Sequence, residues 1–172
     1  MKDIAKYGVI LAVICLVASS ILAGMYSFAK PHTDKQAQAG TEAGLLQVIP
    51  QASRFEAVKS KDEILYYQGY DKENKPVGIA FYASAKGYSS TIETLAGMSE
   101  EGKIIAIKVI NQDETPGLGT RVDEKSFTEQ FCDRGVTDLL QVSTISGATI
   151  SSSAVIKSVK QRAEEIQRLL KK

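Results

Sequence analysis

Ser146-Gly147-Ala148-Thr149 combines hydroxyls with residues too small to block a ligand, and Ile150 and three serines follow it. An amphipathic run from Ala154 to Leu170 comes next, so the Thr149 hydroxyl is expected at or just before a helix N-terminus. The first turn of a helix leaves backbone N–H groups without intrahelical partners and carries the positive end of the macrodipole. Both features suit a phosphate. Gly147 and Ala148 let the backbone come close to a ligand, and the Ser146 and Thr149 hydroxyls add donors. Taken alone, the four residues read more readily as an ordinary N-cap, and only the motifs around them shift that balance.

A second candidate is the loop Asn111 to Thr120, which contains Glu114-Thr115-Pro116-Gly117-Leu118-Gly119. Pro116 before Gly117 suits a type II turn, and Gly119 permits another reversal. Neighbouring N–H groups in such a loop can form an anion-binding nest, or the loop serves only as a connection. The third is Gly87-Tyr88-Ser89-Ser90, a glycine-led loop ahead of a strand. Five of the seven tyrosines fall between Tyr66 and Tyr88, where packing in strands explains them more readily than stacking on a planar ligand.

Several chemistries are excluded. The single histidine, His32, stands beside Pro31 in a polar linker, which leaves no place for a histidine-dependent triad in the domain. Cys15 and Cys132 are too few for a zinc or iron–sulfur site, and with one in the apolar N-terminal run and the other in the domain they do not read as a disulfide. A formal net charge of +1 with scattered lysines and arginines speaks against nucleic acid.

The elements that must position these residues begin with a membrane anchor. Tyr7 to Phe28 carries no charge, and its 22 residues at about 1.5 Å each make a helix roughly 33 Å long, enough to cross a bilayer. Lys2 and Lys6 ahead of it set the N-terminus in the cytoplasm and the domain on the far side. The competing reading is a signal peptide cleaved near Ser27-Phe28-Ala29. The chain thus divides into a cytoplasmic tip and transmembrane helix at 1–29, a linker at 30–40 and a domain at 41–172. In the domain, a short helix is expected from Thr41 with Leu45, Leu46, Val48 and Ile49 as its apolar face and Pro50 as its stop. Strands at 64–70 and 77–83 flank an Asp71-to-Pro76 turn, and strands at 90–98 and 104–110 flank a second turn. Asp123-Glu124 open a short helix with Phe127 and Phe131 at i, i+4 that ends near Gly135. The fold class is α+β, a mixed or antiparallel sheet with flanking helices.

The Gly87-Tyr88 pair, the Glu114-to-Gly119 string and the Ser146-to-Thr149 tetrad, in this order and spacing, resemble the FMN-binding domain of two ion-pumping redox complexes. One is the Rnf electron-transport complex, through its G subunit; the other is the sodium-translocating NADH:quinone reductase, through its C subunit. The compact domain favours the first.

The resemblance implies FMN joined through its phosphate to Thr149 by a flavin transferase, with Ser146, Gly147, Ala148, Glu114, Thr115, Gly117, Leu118, Gly119 and Tyr88 around it. It further implies a single-pass flavoprotein of the cell membrane, its domain extracytoplasmic, relaying electrons among other membrane subunits between ferredoxin and NAD, coupled to ion transport. Neither an independent catalytic site nor a metal is expected. The alternatives are a C-type subunit of the quinone reductase and a membrane-tethered binding module without covalent flavin. One position departs from the family pattern: Ser143 stands where an aspartate is usual.

Overall fold

The computed structural model describes residues 7–8, 10–21, 25, 41–60 and 63–170. It divides into two compact units, Met1–Thr41 and Glu42–Lys172. In the first, residues 7–8, 10–21 and 25 are helical with exposed side chains. Residues 9, 22–24 and 26–28 of the expected span lie outside the described residues, as does the linker at 30–40 with His32. Among the described residues no helix is long and apolar enough to cross a membrane.

The second unit opens inside helix α1 (41–48), whose Leu45 and Val48 are buried together with Ile49 just beyond its end, the i, i+3, i+4 stripe of an amphipathic helix. Five strands follow: β1 Arg54–Ser60, β2 Glu63–Tyr70, β3 Pro76–Lys86, β4 Thr91–Met98 and β5 Ile104–Asn111. They form one antiparallel meander in sequence order. Both expected hairpins are present. The first turn is held by the Asp71 carboxylate accepting from the Lys75 N–H at 2.8 Å, the second by the Ser99 N–H donating to the Lys103 carbonyl at 2.8 Å. Strand β1 has no counterpart in the hydrophobic pattern. It is an edge strand whose side chains are exposed except for half-buried Phe55 and Val58, so it never shows the alternation that marks a strand covered on one face.

The sheet is covered on both faces. On one face Leu45, Val48, Ile49 and Ala52 pack against Ala80 and Leu95. On the other, Ile79, Phe81, Ile92, Ala96, Met98 and Ile104 meet the C-terminal segments. These segments are 3-10 turns at Gly119–Asp123, Glu129–Phe131 and Val136–Gln141, the four-residue helix α2 Lys125–Thr128, and the long helix α3 Thr149–Leu170. The helix expected to run from Asp123-Glu124 to near Gly135 is therefore split. Its α-helical part is one turn, and the chain tightens to 3-10 geometry so that Phe127 and Phe131 both point inward, edge to face with centroids 5.4 Å apart. Helix α3 buries Val155, Ile156, Val159, Ala163 and Ile166 against the sheet, close to the 3.6-residue period.

Candidate functional site

Two turns and a helix end converge beside the C-terminal end of β3. Pro116 and Gly117 occupy the central positions of a turn closed by the Leu118 N–H on the Thr115 carbonyl (3.1 Å), and Gly117 takes φ +74°, the left-handed position of a type II turn. The tetrad forms a second such reversal: the Ala148 N–H donates to the Ile145 carbonyl at 2.9 Å, with Gly147 at φ +82°. Ser152 locks this turn onto α3. Its hydroxyl accepts from the Ile145 N–H (3.1 Å) and donates to the Ala148 carbonyl (2.8 Å). The helix consequently begins at Thr149, five residues before the apolar periodicity starts, and Thr149 sits exposed in its first turn.

A cleft of about 550 Å³ opens between these pieces, lined by Tyr88, Glu114, Thr115, Leu118, Gly119, Gly147, Ala148, Thr149, Ile150 and Ser151. It brings together eight of the ten residues singled out from the sequence. The other two stand at its edge. Ser146 is exposed, its carbonyl approached by the Arg121 guanidinium at 3.5 Å, and the Gly117 N–H donates to the Thr120 hydroxyl at 3.0 Å. Of the five clustered tyrosines only Tyr88 enters this cleft. Tyr67 and Tyr82 form an edge-on pair at 6.3 Å, and the Arg54 guanidinium lies over the Tyr70 ring. Tyr88 (69% exposed), Leu118 (47%) and Ile150 (56%) give the cleft an apolar rim.

Its back wall is a charge. Glu114 is only 5% exposed, and its carboxylate collects donors from two separate segments. Oε1 accepts from the Ser89 and Ser90 N–H groups at 3.0 and 2.9 Å; Oε2 accepts from the Tyr88 N–H at 3.2 Å and the Ser151 hydroxyl at 2.7 Å. Burial pushes this carboxyl upward, but the bonds from Ser90, Ser151, Ser89 and Tyr88 outweigh it and hold the group below the usual glutamate range. Side chains are excluded around it. A Cβ on Gly87 would stand 2.5 Å from Oε1, and one on Gly119 would stand 2.7 Å from Oε2.

Ser151, Ile150 and Arg121 were not read from the sequence as site residues. The one signal for Ser151 is its place in a run of three serines directly ahead of the amphipathic stretch, where serine is a poor helix former whose hydroxyl bonds to nearby groups. The serines also differ in access: Ser151 and Ser152 are buried and hydrogen-bonded, Ser153 is half-buried, and Ser146 and Thr149 are exposed. Thr149 and Ile150 also line a second cleft, of about 500 Å³, with Lys86, Ser153 and Lys157. Among the described residues no group of three or more His, Cys, Asp or Glu side chains is placed to hold a metal ion.

The FMN-binding domain family matches residues 87–164, the stretch from Gly87 into α3 that contains the whole cleft. The G subunit of an ion-translocating oxidoreductase complex from Methanosarcina acetivorans is 35% identical over 173 residues, covering 92% of this chain and 92% of that one. This chain belongs to the G-subunit family of ion-translocating oxidoreductase complexes. A second member, the G subunit of the proton-translocating ferredoxin:NAD(+) oxidoreductase complex of Clostridium ljungdahlii, is 30% identical and covers 91% of this chain and 88% of its own length. The crystal structure of NqrC from Shewanella oneidensis shares the fold, with a TM-score of 0.50 over 66% of each chain at 16% identity. The antiparallel sheet with its covering helices is thus the FMN-binding-domain architecture that the family carries.

Proposed function

We propose that this protein is the flavoprotein subunit of an Rnf-type ion-translocating oxidoreductase, relaying electrons through FMN held covalently at Thr149. The observation that carries the reading is the cleft: apolar at its rim, closed behind by a hydrogen-bonded carboxylate, and ending on an exposed hydroxyl in the first turn of a 22-residue helix. The residues fit the group. Tyr88, Leu118 and Ile150 offer apolar surface to a planar ring, and the first-turn N–H groups and dipole of α3 favour the single negative charge of a phosphodiester. FMN supplies the redox chemistry when bound, and the protein supplies its position and electrostatic surroundings. The Ser151 hydroxyl is committed to Glu114 and that of Ser152 to the tetrad turn, which leaves Thr149 the better acceptor in the cleft.

In this reading a flavin transferase loads Thr149, the apolar N-terminal segment anchors the protein in the membrane, and the domain stands on the extracytoplasmic side among the other members of the complex. Exposed apolar side chains such as Leu11, Leu16 and Val17 on the N-terminal helical residues support the anchor. Membership of the G-subunit family over nine-tenths of the chain favours this complex over the quinone reductase.

The test is peptide mapping of protein made with a flavin transferase and exported. The peptide containing Ser146 to Thr149 should gain the mass of FMN less one water. Thr149→Ala should abolish flavin fluorescence in a denaturing gel, and Thr149→Ser should retain it in part. Flavin found on a serine, or a fluorescent Thr149→Ala band, would refute the assignment.

A further inference from the structure

Among the described residues Glu114 is the one buried charged side chain. Burying a charge is costly, and a well-packed apolar side chain in its place is often neutral or stabilising. The position is nevertheless built around the charge. Donors come from Tyr88, Ser89 and Ser90 on one side and from Ser151, 37 residues away, on the other. Gly87 and Gly119 leave it room on two further sides. Both segments that it joins line the cleft, through Tyr88 and through Thr149 to Ser151.

We infer that Glu114 is the positioning residue of the cleft: its carboxylate holds the Tyr88–Ser90 loop and the first turn of α3 at a fixed separation, so that the flavin-accepting shape exists before flavin arrives. The identity of the ligand rests on the function proposed above; the holding role does not. Geometry states what neutralisation does. In Glu114→Gln one oxygen becomes an NH₂ donor. Placed at the Oε1 position it would face two N–H donors, Ser89 and Ser90. Placed at Oε2 it faces the Tyr88 N–H and the Ser151 hydroxyl, and only the hydroxyl can turn to accept. The glutamine therefore adopts the second placement, and the Tyr88 N–H loses its acceptor. The released residue is the one that walls the cleft.

The experiment uses the full-length protein, wild type and Glu114→Gln, with Ile166→Val as a control that loosens the far end of α3. Without flavin, amide hydrogen exchange at Tyr88 should accelerate roughly 10- to 100-fold in Glu114→Gln, the loss expected for one hydrogen bond to a charged acceptor. Exchange at Leu95 and Ala96 should be unchanged. With limiting transferase, Glu114→Gln should load flavin more slowly than Ile166→Val, and the flavin it carries should fluoresce more brightly as the Tyr88 contact loosens. Unchanged exchange at Tyr88 overturns the proposal, as does faster exchange with unchanged loading and fluorescence. If Glu114→Gln does not fold, Ser151→Ala cuts the tie between the carboxylate and the first turn of α3, and unchanged amide exchange at Ser152 and Ser153 together with unchanged flavin loading there overturns the proposal too. A wild-type protein that takes up no flavin would sink the proposed function, and the exchange data would still judge the role of Glu114.

Discussion

Gly119→Ala adds one methyl group to the back of the cleft, and its consequence can be worked from the surrounding atoms. Gly119 does not need a left-handed backbone, so alanine is allowed conformationally and only space is at issue. The new Cβ would stand 2.6 Å from the Glu114 Cβ, 2.7 Å from Oε2 and 3.1 Å from the Ser151 hydroxyl. Carbon atoms in contact prefer about 3.5–4.0 Å, so the glutamate must retreat by about 1 Å. A retreat of that size removes Oε2 from the Tyr88 N–H, already at 3.2 Å, and stretches the bond from Ser151. Losing one bond to a charged acceptor costs about 1.5–3 kcal/mol, and strain from overfilling a packed site about 1–3 kcal/mol. The two overlap, because retreat relieves the strain, and a net destabilisation of about 2–4 kcal/mol is expected. At a urea dependence of about 1–3 kcal/mol per molar, the unfolding midpoint should fall by roughly 1–2 M. Near-UV circular dichroism of the full-length protein in mild detergent, across a urea series, measures this. Gly117→Ala is the matched control: its Cβ meets nothing within 4 Å, so the cost is only the strain of alanine at φ +74°, about 1–2 kcal/mol. A Gly119→Ala midpoint within about 0.3 M of wild type, or above that of Gly117→Ala, would refute the packing argument.

The remaining predictions concern pH, maturation and topology. Glu114 is held below its ordinary value of 4.5 in the folded state, so its contribution is present above that value and is lost as pH falls through the folded one; Glu114→Gln should flatten the acid limb of a plot of urea midpoint against pH between 7 and 3, and an unchanged limb would assign it to other groups. Ser143→Asp should raise the flavin-loaded fraction when transferase is limiting, and an unchanged loading rate would show that serine serves there as well as aspartate. The mature protein should stay in membranes through a high-salt wash, whereas an intact mass showing cleavage near Ala29 with release to the soluble fraction would remove the anchor.

The features legible in the sequence were those whose cause is local. Pro116-Gly117 and Gly147 announce their turns because a left-handed backbone position excludes most side chains wherever it occurs. The two hairpins follow from polar turns between apolar runs, and the body of α3 from spacings that place Val155, Val159 and Ile166 on one stripe. The start of α3 at Thr149 was legible from the small residues and hydroxyls of the tetrad, but the apolar periodicity begins only at Ala154, and what holds the serines between them in the helix was not. Ser151 and Ser152 are drawn into the helix by bonds to Glu114 and to the tetrad turn, the first of them far away in the chain. Strand β1 escaped for the opposite reason: a partner strand recruits it through backbone hydrogen bonds, and an edge with little to bury leaves no pattern in its side chains. The hydroxyls and glycines of the candidate site were visible one motif at a time. That they face one cleft, and that a buried carboxylate leaves Ser151 engaged and Thr149 open, is decided by tertiary contacts, because hydrogen bonds and exclusion of water depend on which segments meet and not on their order in the chain.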